Sequence, residues 1–351
     1  LCSWFAVSVA AFDRGLWLAI LPGSLCALSS SVAAMGLRYL LEERQKLFLQ
    51  KSFKTYISPE LIDQMVESGL QPRLGGEERE ITAFFTDIQG FSTFSEKIGS
   101  PARLVELINE YLSAMTRILT DNQGTLDKYI GDAIVAMFGA PVPVEGHARK
   151  AAVSAVMMQE RLAELRAKWH DEGDKWPQIV HHMRMRIGLN TGPIVTGNMG
   201  SELRMNYTMM GDDVNLAARL ESASKQYGVY ILCSAATLSA AGPGFLSREI
   251  DTIRVMGKTE PVTVHEIMGL ERGAPDSWRR CAELFSMARA HYLAGRFEQA
   301  RAGFLESLDL EPLHGQPGVK TCPSKVFAAR CEQYLSHPPS GWDGVFTATE
   351  K

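Results

Sequence analysis

Cysteine is sparse and scattered. Cys2, Cys26, Cys233, Cys281, Cys322 and Cys331 form no C-x-x-C pair, which excludes a zinc-ribbon pattern and a disulfide framework. An excess of charge of one sign is lacking as well: 36 basic against 40 acidic side chains give a formal net charge of −4, which argues against a generally basic, nucleic-acid-binding surface. Collagen-like and disordered classes are excluded by 46% hydrophobic and 22% charged residues. What is present, over 351 residues, suffices for roughly two domains with proper cores. The first residue is Leu1 rather than Met, so the chain is expected to be a piece of a longer polypeptide.

One long apolar run stands near the front. Residues 16–37, LWLAILPGSLCALSSSVAAMGL, carry no charge, and at about 1.5 Å per residue a helix of that length crosses a hydrocarbon core of about 30 Å. The run is a candidate transmembrane helix, with a signal peptide or a buried core helix as the alternatives. Asp13, Arg14 and Gly15 look like a tight turn after a shorter uncharged stretch over residues 1–12. Behind the run, Arg38, Arg44, Lys46, Lys51 and Lys54 outnumber Glu42 and Glu43, which by the positive-inside rule places the rest of the chain in the cytoplasm. Leu40, Leu41, Leu47, Phe48 and Phe53 fall near helical spacing, as in a helix that connects membrane to body or transmits a signal between them.

From Glu77 to Leu270 strands alternate with helices, which points to an α/β sandwich on a mixed sheet. ITAFFTDI (81–88) has the pattern of a buried strand, PARLVELINEYLSAMTRIL that of an amphipathic helix with Pro101 in its first turn. GTLDKYIGDAIVAMFG gives two strands around a turn at Gly131 and Asp132, and a second long helix covers 145–169. MRMRIGLNTG and PIVTGNMG are expected as a strand and its return, RMNYTMM as a further strand, and DDVNLAARLESASKQ as a helix capped by Asp212 or Asp213. Asp87, at a strand end, and Asp132, in a hairpin turn, form a pair of carboxylates that can hold a divalent cation beside nucleotide phosphates. The alternative is that each is a turn or cap residue. Asn215 and Arg219 share one helix face and can grip a phosphate; otherwise Arg219 is a surface residue paired with Glu221 or Asp212.

The combination is specific. FFTDIQGFS (84–92), LDKYIGDAIVAMFG (126–139), IGLNTGPIVTGNMGS (187–201) and NYTMMGDDVNLAARLES (206–222), in this order, resemble the catalytic domain of class III adenylate and guanylate cyclases over residues 77–270. YISPELIDQMV (56–66) and GWDGVFTATEK (341–351) resemble bacterial membrane cyclases with an extracytoplasmic CHASE2 sensor. The resemblance implies an α/β fold, an α+β sandwich with a ferredoxin-like mixed sheet and flanking helices, whose active sites form between the two copies of a homodimer. It implies that Asp87 and Asp132, with the backbone carbonyl of Ile88, hold two Mg²⁺ or Mn²⁺ ions. Across the interface Lys128 and Thr208 would read the purine, Asn215 would orient the ribose, and Arg219 would stabilise charge on the α-phosphate. Lys258 matches a lysine on the terminal phosphates, although Met256 stands where many members have another lysine. The turn Tyr129-Ile130-Gly131-Asp132-Ala133 lacks the Gly-Gly-Asp-Glu-Phe signature of diguanylate cyclases.

Adenine offers an N1 acceptor and an N6 donor, which complement a lysine ammonium and a hydroxyl able to accept; guanine reverses that pattern. Family guanylate cyclases usually place Glu at the Lys128 position and a small residue at the Thr208 position, so ATP is the expected substrate and cyclic AMP the expected product. Thr at 208 also resembles the subclass that includes bicarbonate-responsive enzymes, and bicarbonate stimulation is an expectation that turnover at constant pH and salt decides. The alternatives are a guanylate cyclase and a non-catalytic nucleotide-binding signalling receptor. In the tail, Tyr292, Gly295, Phe297, Ala300, Phe304, Leu308 and Pro312 are spaced like a tetratricopeptide helix pair. A helix over 323–335 would cover its open face, and Trp342 and Phe346 would dock. Such a tail binds a protein partner, supports the dimer, or is a packing appendage. The expected organisation is a truncated transmembrane segment (1–37), a cytoplasmic linker helix (38–76), the cyclase domain (77–270) and the helical tail (271–351), in a bacterial inner membrane with the catalytic domain in the cytoplasm.

Overall fold

The computed structural model describes residues 2–16, 20–53, 73–253, 261–339, 341, 342 and 344. Two compact units, Leu1–Gln71 and Pro72–Lys351, divide it. The first holds helices α1 (Cys2–Phe12) and α2 (Ile20–Phe53), with the expected turn between them closed by the Gly15 amide on the Phe12 carbonyl. The hydroxyls of Ser29, Ser30 and Ser31 bond back to the carbonyls of Cys26 and Ala27, so they add no unpaired polar group to the helix surface. The transmembrane span expected over residues 16–37 is not found: among the described residues no helix is long and apolar enough to cross a membrane. Residues 17–19 lie outside the described residues.

In the second unit eight strands make one mixed sheet. They are β1 (Gly75–Ile88), β2 (Thr125–Ile130), β3 (Ala133–Phe138), β4 (Met185–Ser201), β5 (Arg204–Met210), β6 (Ile231–Ser234), β7 (Phe245–Ile253) and β8 (Val262–Leu270). Their order is β2-β3-β1-β4-β6-β8-β7, with β5 paired to the far half of β4. β4 and β6 run parallel and the other pairs antiparallel. Alternation along β1 and β3 feeds two cores. Phe84, Ile134, Ala136 and Phe138 point to one face, beneath helices α4 (Pro101–Asp121) and α5 (His147–Asp171). Ile81, Ala83, Val135 and Met137 point to the other, where Ala217 of helix α7 (Asp212–Tyr227) covers them. The short helices α3 (Phe91–Ile98), α6 (Gln178–His181) and α8 (Ala235–Ala241) complete the layer.

The expected strand and return over 185–201 are one continuous strand of 17 residues. Pro193 sits inside it, opposite Glu80 of β1, at a place where neither β5 nor β6 pairs with β4, which leaves one side of the strand free of a ladder to accommodate a residue without an N–H. The cap of α7 is also not as expected: Gly211 (φ 140°) is the N-cap, and Asp212 and Asp213 lie in the first turn.

The tail forms helices α9 (Asp276–Leu293), α10 (Phe297–Leu308) and α11 (Pro323–Ser336). Phe285, Tyr292, Phe304 and Phe327 are buried together with Leu216 and Leu220 of α7, Ile250 of β7 and Val264 of β8. The tail's apolar face is therefore spent on the body, as in the packing-appendage alternative. The Trp342 indole donates to the Tyr292 and Leu293 carbonyls at 3.2 Å; Phe346 lies outside the described residues.

Candidate active site

Two groups of side chains are assembled, on different elements. The first lies where β1 ends. Asp132, in the β2–β3 turn at Gly131 (φ 65°), reaches back to accept the Ile88 amide at 2.9 Å, and Ile88 itself is buried. Asp132 is 6% exposed. Burial pushes its carboxyl up to about 6 against the pull of the Ile88 amide, and the neighbouring Asp87 carboxylate pushes the same way. A hairpin turn and a strand end thus place two carboxylates together, as the local pattern suggested. Burial raises the Tyr111 phenol, Thr86 opposes the rise and both carboxylates add to it; the phenol donates to Met185 Sδ at 2.8 Å.

Arg186 belongs to this group and was not singled out in the sequence. It stands opposite Asp87 in the β1–β4 register, donates to Asp87 at 2.6 Å and, through Nε, to Glu221 of α7 at 2.9 Å. Glu221 is thereby committed to Arg186, which removes it as the partner of Arg219. A cavity of about 930 Å³ opens beside Gln89 and Gly90 and is lined by Lys97, His182, Arg184, Arg186, Lys225 and Lys320, with no carboxylate in its lining. That charge suits a polyphosphate.

The second group lies on β2 and β5. Lys128 donates to the Thr208 hydroxyl at 3.2 Å, and the same hydroxyl donates to Asp127 at 2.6 Å. Asp127 was also missed in the sequence. The β2–β3 register slips between Leu126 and Lys128, making Asp127 the extra residue of a bulge, and a bulge re-aims a side chain. Burial raises the Asp127 carboxyl, and Thr208 and then Lys128 oppose the rise. With its proton held by Asp127, the Thr208 oxygen is left with acceptor capacity only.

Asn215 and Arg219 lie on the exposed face of α7 while Leu216 and Ala217 face the cores. α7 is held rigidly. The Asn190 amide donates to the Asp213 carbonyl at 3.0 Å and to its carboxylate at 3.1 Å. A Cβ on Gly188 would meet the Ala217 carbonyl oxygen at 2.3 Å, and one on Gly192 the Asp213 carboxylate at 2.8 Å. Among the described residues, no hydrogen bond or ion pair joins Asn215 or Arg219 to either group, or the Asp87–Asp132 group to the Lys128–Thr208 group. Lys258 lies outside the described residues.

Among the described residues no group of three or more His, Cys, Asp or Glu side chains is arranged to hold a metal ion by itself. Two carboxylates with a backbone oxygen would leave much of a hard cation's coordination to phosphate and water, as Mg²⁺ favours. The buried Asp132 carboxyl is of the kind a cation keeps ionised.

Comparison with known proteins gives a consistent result. The chain is 33% identical over 221 residues to adenylate cyclase 1 of Rhizobium meliloti, covering 63% of this chain and 32% of the relative. It is 30% identical over 248 residues to an adenylate cyclase of Anabaena cylindrica, covering 69% and 47%. It thus spans about half or less of these relatives. Among solved structures, the adenylyl cyclase CyaB from P. aeruginosa aligns with TM-score 0.51 at 33% identity, over 57% of this chain and all of that one. A bacterial light-regulated adenylyl cyclase aligns with TM-score 0.56 at 27% identity, over 68% and 66%. Residues 76–269 match the adenylate and guanylate cyclase catalytic domain, and the chain belongs to that family.

Proposed function

We propose that the chain is an adenylate cyclase that converts ATP to 3′,5′-cyclic AMP and pyrophosphate in signal transduction, at two equivalent sites shared between the copies of a homodimer. The observation that carries the choice of substrate is the hydrogen bond between Lys128 and Thr208, residues far apart in sequence that meet as a donor beside an acceptor. Lys128 donates to adenine N1. The Thr208 oxygen, its own proton engaged by Asp127, accepts from adenine N6. Guanine would present a carbonyl oxygen to that acceptor, leaving two acceptors face to face. The relatives named above as adenylate cyclases support the same reading.

In the reaction the ribose 3′-oxygen bonds to the α-phosphorus, the bond from that phosphorus to the bridging oxygen of the β-phosphate breaks, and pyrophosphate leaves with the electron pair while the hydroxyl proton is lost. Asp87 and Asp132, with the Ile88 carbonyl, would hold two Mg²⁺ or Mn²⁺ ions, which when bound favour the 3′-alkoxide and neutralise the phosphates. Arg186, between Asp87 and Glu221, is placed to take a phosphate oxygen. From the partner copy, the outward face of α7 brings Asn215 to the ribose and Arg219 to the α-phosphate, where a planar, charge-assisted grip stabilises the charge that builds. Lys258 would contact the terminal phosphates.

Product analysis with ATP and GTP, with Mg²⁺ and Mn²⁺, over a range of protein concentrations tests the reading. Cyclic AMP whose specific rate rises with concentration is expected; cyclic GMP as the main product, or bound nucleotide with no product, would replace it with the guanylate cyclase or receptor alternative. Lys128→Glu should weaken the preference for ATP without creating good use of GTP.

We infer also that residues 16–37 attach the chain to a bacterial inner membrane, in the manner of CHASE2-bearing cyclases, with the catalytic domain cytoplasmic. The uncharged run, the basic residues behind it and the outward Leu25, Leu28, Val32, Met35 and Leu37 of α2 support this. Deletion of residues 1–37 should move the protein from the membrane pellet to the supernatant.

A further inference from the structure

A second cavity, of about 410 Å³, adjoins the first, sharing Arg184, Gly228 and Tyr230 with it, and lies between α5, strands β6 and β8, and the tail. Its walls are largely apolar, with Val156 of α5, Ile231 of β6, Ile267 and Met268 of β8, Trp278 of α9 and Leu313 of the loop between α10 and α11. Its lining also carries Arg166, Arg184 and Arg272. Arg184 is 8% exposed. It donates to the Gln316 side chain at 2.8 Å, while its Nε is buried without a partner. Arg166 donates to the Met183 carbonyl at 3.1 Å. Neither Arg166 nor Arg184 has an ion pair among the described residues. Burial and then the like charge of Arg184 press the Arg166 guanidinium down to about 10, and burial lowers Arg184 as well.

Three acids share these walls, Glu160, Glu266 and Glu311. Glu266 and Glu311 both bind Arg248, at 2.7 Å each, and Glu160 makes no ion pair among the described residues. The cavity therefore presents two largely buried guanidiniums, Arg166 and Arg184, that no carboxylate pairs with among the described residues, beside a largely apolar surface. Its size is that of a small-ligand pocket, and paired guanidiniums match a planar carboxylate.

We propose that this cavity binds a small organic carboxylate with an apolar body, its carboxylate between Arg166 and Arg184 and its body against Ile267, Met268 and Trp278. The ligand bridges body and tail, and Arg184 connects it to the candidate active site. The Arg184 carbonyl accepts the Gln89 amide at 2.9 Å, next to Ile88, and Arg184, just before β4, lies two residues from Arg186, which holds Asp87. Occupancy is thus placed to regulate the site. The regulatory part rests on the cyclase reading, whereas binding does not.

The test is calorimetric titration of the full chain, without nucleotide, with octanoate as probe and with 1-octanol and inorganic phosphate as the uncharged and the non-apolar comparisons. Octanoate is expected to bind, to raise the melting temperature, and to bind at least tenfold more tightly than either comparison. Arg166→Met should lose at least tenfold in octanoate affinity while keeping its fold and its turnover without octanoate. Arg184→Met, read by the same titration, serves if the first variant does not fold. No octanoate binding, equal binding of octanol, phosphate that displaces octanoate with equal affinity, or unchanged octanoate affinity in a folded arginine variant would overturn the proposal. If octanoate binds as expected but no cyclic nucleotide is ever made, the cyclase reading fails and the binding site stands.

Discussion

The separation of the catalytic groups within one protomer makes complementation a demanding test. Asp87 and Asp132 converge at the end of β1, Asn215 and Arg219 face outward from α7, and among the described residues no bond joins the two sets. Asp87→Ala removes half of the carboxylate pair and Arg219→Ala removes a charge donor to the transition state. A single donor of that kind is commonly worth about 10²–10³ in rate, or about 3–4 kcal/mol, so each variant alone should be nearly silent. In a heterodimer one of the two composite sites carries both lesions and the other carries neither. An equimolar mixture that exchanges freely is about half heterodimer, and with one working site of two in each it should recover about a quarter of the wild-type specific activity. The assay is cyclic AMP formation from two differently tagged variants, with co-purification of the tags measuring exchange. A mixture that stays at the mean of the two single variants, although the tags co-purify, would refute the shared site.

Further outcomes follow from particular contacts. Asp132→Asn should abolish turnover yet stabilise the metal-free protein at neutral pH. The native carboxyl, held at about 6, keeps its proton where the unfolded chain has lost it, so wild-type stability falls as pH rises from about 4 to about 6 and stays lower above. Melting curves in chelator should show the gain at pH 7 and none near pH 4. Thr208→Val removes the acceptor for adenine N6, and Asp127→Leu frees the hydroxyl; each should cost ATP kcat/KM about 2- to 13-fold, the worth of one hydrogen bond at about 0.5–1.5 kcal/mol. An unchanged value in both would remove the acceptor model. Arg248→Met leaves Glu266 and Glu311 buried beside each other. Breaking such a network costs about 3–5 kcal/mol, seen as a large drop in melting temperature that adding Glu266→Gln and Glu311→Gln partly restores.

The site residues legible in the sequence were those marked by local pattern. Asp87 ends an apolar run, Asp132 occupies a Gly-Asp turn, and Asn215 and Arg219 follow a helical period that leaves them outward once Leu216, Ala217 and Leu220 are buried. Arg186 and Asp127 carry no such mark. Arg186 acquires its role from a register that sets it opposite Asp87 across most of the domain, and Asp127 from a bulge that breaks the alternation of β2. The continuity of β4 through Pro193 was hidden for a related reason: whether a proline is tolerated in a strand depends on which edges its neighbours leave unpaired, which is settled only when the sheet assembles. The cavity that holds Arg166 and Arg184 depends on how the loop from Pro312 to Pro323 closes over α5, a contact with no local signature.

The tail illustrates how a spacing that suggests one role can be used for another. Small and aromatic residues at tetratricopeptide-like positions do bring α9, α10 and α11 together, but the surface they create closes over the end of α7. Asp251 of β7 accepts from Tyr227 of α7 at 2.8 Å and from Arg330 of α11 at 2.6 Å, and Tyr227 stacks on Phe327 at 6.3 Å. Tyr227 ends the helix whose other face carries Asn215 and Arg219. A shift of the tail against the body would have to move that end of α7 or expose the Asp251 carboxylate, which is fully buried. Unpairing a buried charge of this kind costs several kcal/mol. The tail and α7 therefore move together, and a ligand or partner that acts on the tail reaches Asn215 and Arg219 through one rigid helix.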